Sequence, residues 1–181
     1  MLTVWLLVAL AVVLPLALAR EWLIAVLAGE QWREGADAMA LTALGLAFYG
    51  AYYVVGVAVG RAKRTQLNWV VTGVAAVTNV VLCIALIPEY GATGAGAASA
   101  VAYLLMAALM VVRGNRVFPV GYDWGRLAGI CALAAGLFAL GEVLFSARGT
   151  GGVAGRLALA ALLVPLALSA DLAVRRAAPR P

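Results

Sequence analysis

Long apolar runs alternate along the chain with short polar segments, and most of the runs have the length of a membrane-spanning helix. A helix that crosses the hydrocarbon core of a bilayer needs about 20 mostly apolar residues. The runs that approach or reach this length are Leu2–Ala19, Ala38–Gly60, Leu67–Ile87, Thr93–Val112, Leu127–Ser146 and Val153–Ala173. The pattern predicts an all-α fold, a polytopic membrane helix bundle with about six transmembrane helices.

The third and fourth runs are separated only by the segment PEYGA. A connection this short forces the two helices to lie side by side and antiparallel. Pro88 interrupts the hydrogen bonding of the preceding helix, and Gly91 supplies the backbone freedom that a turn requires. We therefore predict a helical hairpin whose turn is formed by Pro88, Tyr90 and Gly91.

The fourth run begins with small residues at four-residue spacing, as in the series Gly94, Ala98 and Ala102. Small residues let helix backbones approach closely in a bilayer, where burial of apolar area between helices contributes little. We expect this end of the helix to be surrounded by other helices, with Gly94 and Ala98 as packing residues.

The first run ends in Ala-Leu-Ala before Arg20, which resembles a signal-peptidase site. No basic residue precedes Leu2, as a signal peptide would require, so we interpret the run as a membrane span. The following segment, Arg20–Asp37, contains Trp22 and Trp32, which suit a membrane interface. It either extends the first span at a tilt or lies along the membrane surface.

Composition supports the membrane interpretation and narrows the chemistry. Of the 181 residues, 66% are hydrophobic and 12% are charged, whereas soluble domains carry about 25% charged residues. The chain has no histidine, and Cys83 and Cys131 both lie within apolar runs. We therefore expect no metal site, no cofactor and no disulfide. The basic residues are scattered through short connections, which argues against a nucleic-acid partner.

The basic residues also predict an orientation. Alternate connections, counted together with the tail, hold nine Lys and Arg residues on one side of the membrane and four on the other. Positive charges favour the cytoplasmic side. We therefore expect a multi-pass protein of the cytoplasmic (inner) membrane, with both termini and residues 61–66 and 113–126 in the cytoplasm.

Few polar side chains fall inside the predicted spans. They are Tyr49, Tyr52 and Tyr53 in the second span and Asn68, Thr72, Thr78 and Asn79 in the third. Either they line a hydrophilic pathway, or they form hydrogen bonds between helices, each contributing about 1 kcal/mol or less.

The segment RAKRTQ also has two compatible interpretations. Arg61, Lys63 and Arg64 are cations at the predicted cytoplasmic interface, where they favour an anionic lipid headgroup or a diphosphate. As a simpler interpretation, they act only as a topology signal. Together with Asn79, these three are the candidate substrate-binding residues.

A longer stretch resembles a known family. The residues that carry the resemblance are Lys63, Arg64, Thr65, Asn79, Leu82, Ile87, Pro88, Tyr90, Gly91, Gly94, Ala95, Ala97 and Tyr103, preceded by Gly29, Trp32 and Ala36. In this order they resemble the C-terminal half of polysaccharide flippases of the multidrug/oligosaccharidyl-lipid/polysaccharide superfamily. The resemblance covers about residues 14 to 112.

The resemblance implies a transporter that moves a lipid-linked oligosaccharide or polysaccharide precursor across the cytoplasmic membrane. Such transporters have two lobes, and their twelve to fourteen helices enclose a central cavity. Residues 1–112 would then correspond to four helices of the C-terminal lobe, 113–126 to a cytoplasmic loop, 127–175 to two additional C-terminal spans and 176–181 to a cytoplasmic tail. The chain would be a fragment or half of a flippase, with a second membrane chain supplying the missing helices.

Two other classes of protein are considered. A membrane enzyme acting on lipid-linked sugars would need acidic or histidine residues arranged at the membrane face. The candidates Glu34, Asp37 and Asp123 are not spaced as a metal pair, so we do not expect an enzyme. The alternative to transport is a non-catalytic scaffold or assembly subunit of a polysaccharide biosynthesis complex, in which the small-residue helix faces dock a partner.

Overall fold

The computed structural model describes residues 2–61, 66–117 and 124–144, together with residues 155, 157, 158, 161 and 162. All secondary structure in these residues is helical, which confirms the predicted all-α class. The elements are α1 (Leu2–Leu18), α2 (Arg20–Leu27), a 3₁₀ helix (Glu30–Gly35), α3 (Ala36–Arg61), α4 (Gln66–Val117) and α5 (Trp124–Leu144).

Helix α3 lies at the centre of the described helices, with α1 on one side, α4 on the other, and α5 packed against α1. Two apolar cores hold this row together. Leu14 and Leu18 of α1 are buried with Leu137 of α5. Val59 of α3 is buried with Met110 of α4. Because these helices are apolar on all sides, hydrophobic periodicity does not select their contact faces.

Helix α4 is folded into two antiparallel arms, residues 66–90 and 92–117. The break is at Gly91, whose φ of 56° and ψ of −133° are non-helical and are accessible to glycine at little cost. Val71 and Met110, one on each arm, are buried in the same core. The hairpin predicted from the PEYGA segment is therefore present.

The end of the first arm differs from the prediction. The helix continues through Pro88 to Tyr90 and does not end at Ile87. A proline loses the hydrogen bond of its missing N–H group, and its ring crowds the carbonyl group four residues before it. Here both effects fall in the last turn of the arm. The turn is made by Gly91, whereas Pro88 and Tyr90 are exposed helical residues beside it.

The segment after α1 turns away from the first helix. The axes of α1 and α2 differ by 72°, and Ala19 at the bend has φ −96° and ψ 7°. Arg20 binds the carboxylate of Asp37 at 2.7 Å, which ties the bend to the beginning of α3. The segment therefore does not continue α1 as one straight helix.

The prediction of six spans is not supported by the described helices. Two of them, α3 and α4, are long and apolar enough to cross a membrane, and the bent pair α1–α2 makes a third if it counts as one span. Helix α1 alone has 17 residues, and the apolar part of α5 is limited to Leu127–Leu140. Most of the sixth predicted span, Val153–Ala173, lies outside the described residues.

Candidate functional site

Two tyrosines lie near the middle of α3 and are bonded to each other. Tyr49 is 13 residues after Ala36 and 12 before Arg61. The hydroxyl oxygens of Tyr49 and Tyr53 are 2.8 Å apart, and their rings meet edge to face with centroids 4.9 Å apart. The four-residue spacing places both side chains on one face of the helix.

Tyr103 from the second arm of α4 completes this group, which we call the tyrosine cluster (Tyr49, Tyr53 and Tyr103). The ring centroids of Tyr49 and Tyr103 are 5.1 Å apart. Tyr103 reaches α3 because Gly45 and Ala100 allow the two backbones to approach closely. A Cβ atom on Gly45 would lie 3.1 Å from the Cα of Ala100.

The tyrosine cluster borders an open face of α3. Thr42, Leu46, Tyr53 and Val57 recur at helical spacing and are exposed, so none of the described helices covers this stripe. The mutual bond of Tyr49 and Tyr53 uses one of their two O–H donors. The second donor needs a further acceptor, which water or another polar group would supply.

The ring of Tyr52 lies beside those of Tyr49 and Tyr53, with centroid distances of 6.2 Å and 5.4 Å, and its hydroxyl is directed towards the first arm of α4. Its side chain is buried, and its hydroxyl lies 3.5 Å from Oγ1 of Thr72. Tyr52 and Thr72 therefore make a long polar contact between two helices, as the hydrogen-bonding interpretation of these residues expects.

Asn79 joins the two arms of the hairpin. Its Nδ2 donates to Oγ of Ser99 at 3.3 Å, and its Oδ1 accepts from Sγ of Cys83 at 3.5 Å. Asn79 is thus engaged in helix-to-helix bonding and does not belong to the tyrosine cluster. The polar role of Ser99 was not predicted, although its place in the small-residue helix opposite Asn79 is a signal for it.

The other polar residues of the first arm are placed separately. The hydroxyl of Thr78 donates to the carbonyl oxygen of Val74 in its own helix at 2.9 Å. Oδ1 of Asn68 is buried and has no hydrogen-bond partner among the described residues. The polar residues of the predicted third span therefore do not form one continuous lining.

The predicted basic site falls mostly outside the described residues. Lys63 and Arg64 are not described, and Arg61 is described only as the last residue of α3. Arg113 and Arg116, near the end of the second arm of α4, lie at the same end of the bundle as Arg61. At the opposite end lie Asp37 and Glu89.

The predicted packing residues of the hairpin lie where close backbone contact occurs. A Cβ atom on Gly94 would lie 2.5 Å from the carbonyl oxygen of Leu86 in the other arm, and one on Gly96 would lie 2.8 Å from that of Ala38 in α3. Ala98 is fully buried. The arm is enclosed on these two sides only, because Val101 on its outer side is half exposed.

The chain was compared with models of protein families, with curated proteins and with solved structures, and it matches none of them. The fold and the polar groups described above therefore define a class only, an all-helical chain with helices suited to a membrane.

Proposed function

We propose that the chain is the C-terminal part of a two-lobed transporter that carries a lipid-linked oligosaccharide or polysaccharide precursor across the cytoplasmic membrane. The sequence resemblance supplies the cargo and the family. The structural observation that carries the proposal is the tyrosine cluster, which puts hydroxyl groups on the open face of α3 at the middle of the helix.

The depth of these hydroxyls is the main physical argument. Helix α3 has 26 residues and is about 39 Å long at a rise of 1.5 Å per residue. Tyr49 then lies about 20 Å from either end, near the centre of a hydrocarbon core about 30 Å thick. Lipid chains offer no hydrogen-bond partner at that depth. An open polar face there is typical of a helix that lines a water-filled cavity.

The cavity would be completed by a second lobe. In two-lobed transporters the substrate site lies near the bilayer midplane, between the lobes. Hydroxyl groups on the cavity wall are suited to bind the hydroxyl groups of a sugar. Arg61 is the last residue of α3, and Lys63 and Arg64 follow it in the sequence. Such cations are suited to the diphosphate of a lipid-linked sugar. We infer that another membrane chain, or further sequence, contributes the opposite wall.

The proposal includes a membrane topology. Each arm of α4 has about 25 residues and a length of about 37 Å, so the hairpin counts as two spans. With α3 as a further span, the positive-inside rule makes the Arg113 and Arg116 end cytoplasmic and puts the Asp37 and Glu89 end on the other side.

Cysteine accessibility tests whether the open face of α3 meets water. Cys83 and Cys131 are first replaced by Ala, and Tyr53→Cys is compared with Val74→Cys. The two positions are matched in depth, since Tyr53 is eight residues before Arg61 and Val74 eight residues after Gln66. Both are exposed in the bundle, but only Tyr53 belongs to the tyrosine cluster.

We expect a water-soluble, membrane-impermeant thiol reagent to modify Tyr53→Cys at least tenfold faster than Val74→Cys in intact membranes. Precursor lipid should slow the faster reaction. Equal protection of the two cysteines would contradict an aqueous cavity at this face. In that case the same stripe would be a contact for another helix, as in the scaffold or assembly alternative.

A further inference from the structure

An apolar cleft of about 380 Å³ lies between α1, α3 and α5. Its walls include Leu6 and Ala17 of α1, Ala40 and Phe48 of α3, and Phe138 of α5. All the residues that line it are apolar apart from Cys131. The cleft does not include the tyrosine cluster, so the proposed transport site does not account for it.

The length of the cleft matches one leaflet of a bilayer. Leu6 and Ala17 are eleven residues apart along α1, a distance of about 16 Å. Half of a hydrocarbon core about 30 Å thick is about 15 Å. A methylene group has roughly the volume of a liquid water molecule, about 30 Å³, so the cleft accommodates about a dozen chain carbons.

One end of the cleft carries an ion pair. Arg20 donates to the carbonyl oxygen of Ala17 at 3.0 Å, and its guanidinium carbon lies 5.9 Å from the centre of the Phe138 ring. Asp37, bonded to Arg20 at 2.7 Å, precedes Ala40 by one turn of α3. The positive and the negative group therefore both lie at the mouth formed by Ala17, Ala40 and Phe138.

These features together select the kind of ligand. An apolar cleft of one leaflet's length fits one acyl chain. In the Arg20–Asp37 pair, the cation is suited to the phosphate of a headgroup and the carboxylate to its ammonium group. The segment 20–37 contains two basic and four acidic residues, so an anionic headgroup without a cation would be repelled.

We propose that the chain binds one zwitterionic phospholipid, with an acyl chain in the α1–α3–α5 cleft and its headgroup at Arg20 and Asp37. The inference does not rest on the proposed transport function, since it concerns a different face of α3 and a different ligand.

Native mass spectrometry of the full chain tests the proposal. The protein is released from nanodiscs of equal parts phosphatidylethanolamine and phosphatidylglycerol, and the lipid that remains bound is counted and identified. Ala135→Phe fills the cleft, because Ala135 is one of its lining residues. Ala132→Phe is the matched control, because Ala132 is exposed on the same helix and does not line the cleft.

We expect one retained phosphatidylethanolamine in the wild type and in Ala132→Phe, and at least a tenfold loss in Ala135→Phe. Asp37→Asn should lower the preference for phosphatidylethanolamine over phosphatidylglycerol by roughly fivefold, the effect of one interfacial charge worth about 1 kcal/mol. Equal retention by the two phenylalanine variants, or an unchanged preference in Asp37→Asn, would overturn the proposal.

Thiol labelling of the wild-type chain gives a second measurement that does not depend on the folding of a variant. Cys131 lines the cleft, whereas Cys83 lies in the hairpin next to Asn79. Addition of phosphatidylethanolamine to delipidated protein should slow the reaction of Cys131 with a small maleimide at least fivefold and leave that of Cys83 unchanged. Equal effects on both thiols would show that the lipid acts only as a general solvent.

Discussion

Replacement of Gly94 by alanine is expected to destabilise the hairpin of α4, although alanine favours helices. The added Cβ would lie 2.5 Å from the carbonyl oxygen and 2.7 Å from the carbonyl carbon of Leu86. Both obstacles are backbone atoms, so the two arms have to separate. Gly73, in the first arm of the same helix, is the control, because a Cβ there would meet nothing within 4 Å.

The magnitude follows from two opposing effects. Overpacking of a close contact costs about 1–3 kcal/mol, whereas replacing glycine by alanine within a helix is favourable by about 0.5–1 kcal/mol. Gly73→Ala shows only the second effect. We therefore expect the free energy of unfolding of Gly94→Ala to lie about 2 kcal/mol below that of Gly73→Ala.

Reversible unfolding of the micelle-bound chain by sodium dodecyl sulfate, followed by tryptophan fluorescence, measures this difference. Gly73→Ala should be as stable as the wild type or more stable. If Gly94→Ala unfolds at the same detergent fraction as Gly73→Ala, the close contact of the two arms is wrong, and with it the antiparallel hairpin.

Two further predictions concern one hydrogen bond and the membrane depth of one segment. A double-mutant cycle of Asn79→Ala and Ser99→Ala in the same unfolding assay should give a coupling of about 0.6 kcal/mol, the average for hydrogen bonds between membrane helices. The hydroxyl of Thr78 bonds to Val74 in its own helix, so Thr78→Ala should show no coupling with Ser99→Ala. Trp22 and Trp32, exposed on and after α2, should be quenched more strongly in single-tryptophan variants by lipids brominated near the headgroup than by lipids brominated at the chain end. The opposite order would contradict an interfacial position for this segment.

The hairpin is predictable from sequence because its cause is local. Five residues between two apolar runs are too few for any arrangement other than an antiparallel hairpin. Glycine at position 91 is suited to the φ of 56° that the turn requires. The end of the first arm is not predictable from Pro88, because the cost of a proline depends on whether the lost hydrogen bond lies in the interior or in the last turn of the helix.

The candidate site is predictable only in part. The contact of Tyr49 with Tyr53 follows from their four-residue spacing, but that of Tyr49 with Tyr103 depends on how the second arm lies against α3. The register of the arms is equally hidden. Asn79 is 12 residues before Gly91 and its partner Ser99 is eight after it, an offset that arises from packing and not from the sequence pattern.

The direction of α2 was left open by the sequence for a similar reason. Trp22 and Trp32 indicate an interface, but they are compatible with a tilted helix as well as with one that turns aside. The bend of 72° accompanies the tertiary ion pair of Arg20 with Asp37, which are 17 residues apart. Sequence patterns report which residues prefer an interface, and they do not report which distant partner holds them there.

The exposed faces of α3 and α4 differ, and the difference predicts where a second lobe of the proposed transporter would pack. The first arm of α4 exposes an apolar ridge that includes Val77, Val81 and Ile84, and such a ridge is satisfied by lipid without a protein partner. The open stripe of α3 carries the Tyr49–Tyr53 hydroxyl pair, which lipid cannot satisfy. If a second lobe completes the proposed transporter, it must therefore contact the tyrosine cluster and not the apolar ridge of the first arm. Cross-links from a cysteine at Tyr53, but not at Val81, would identify that lobe.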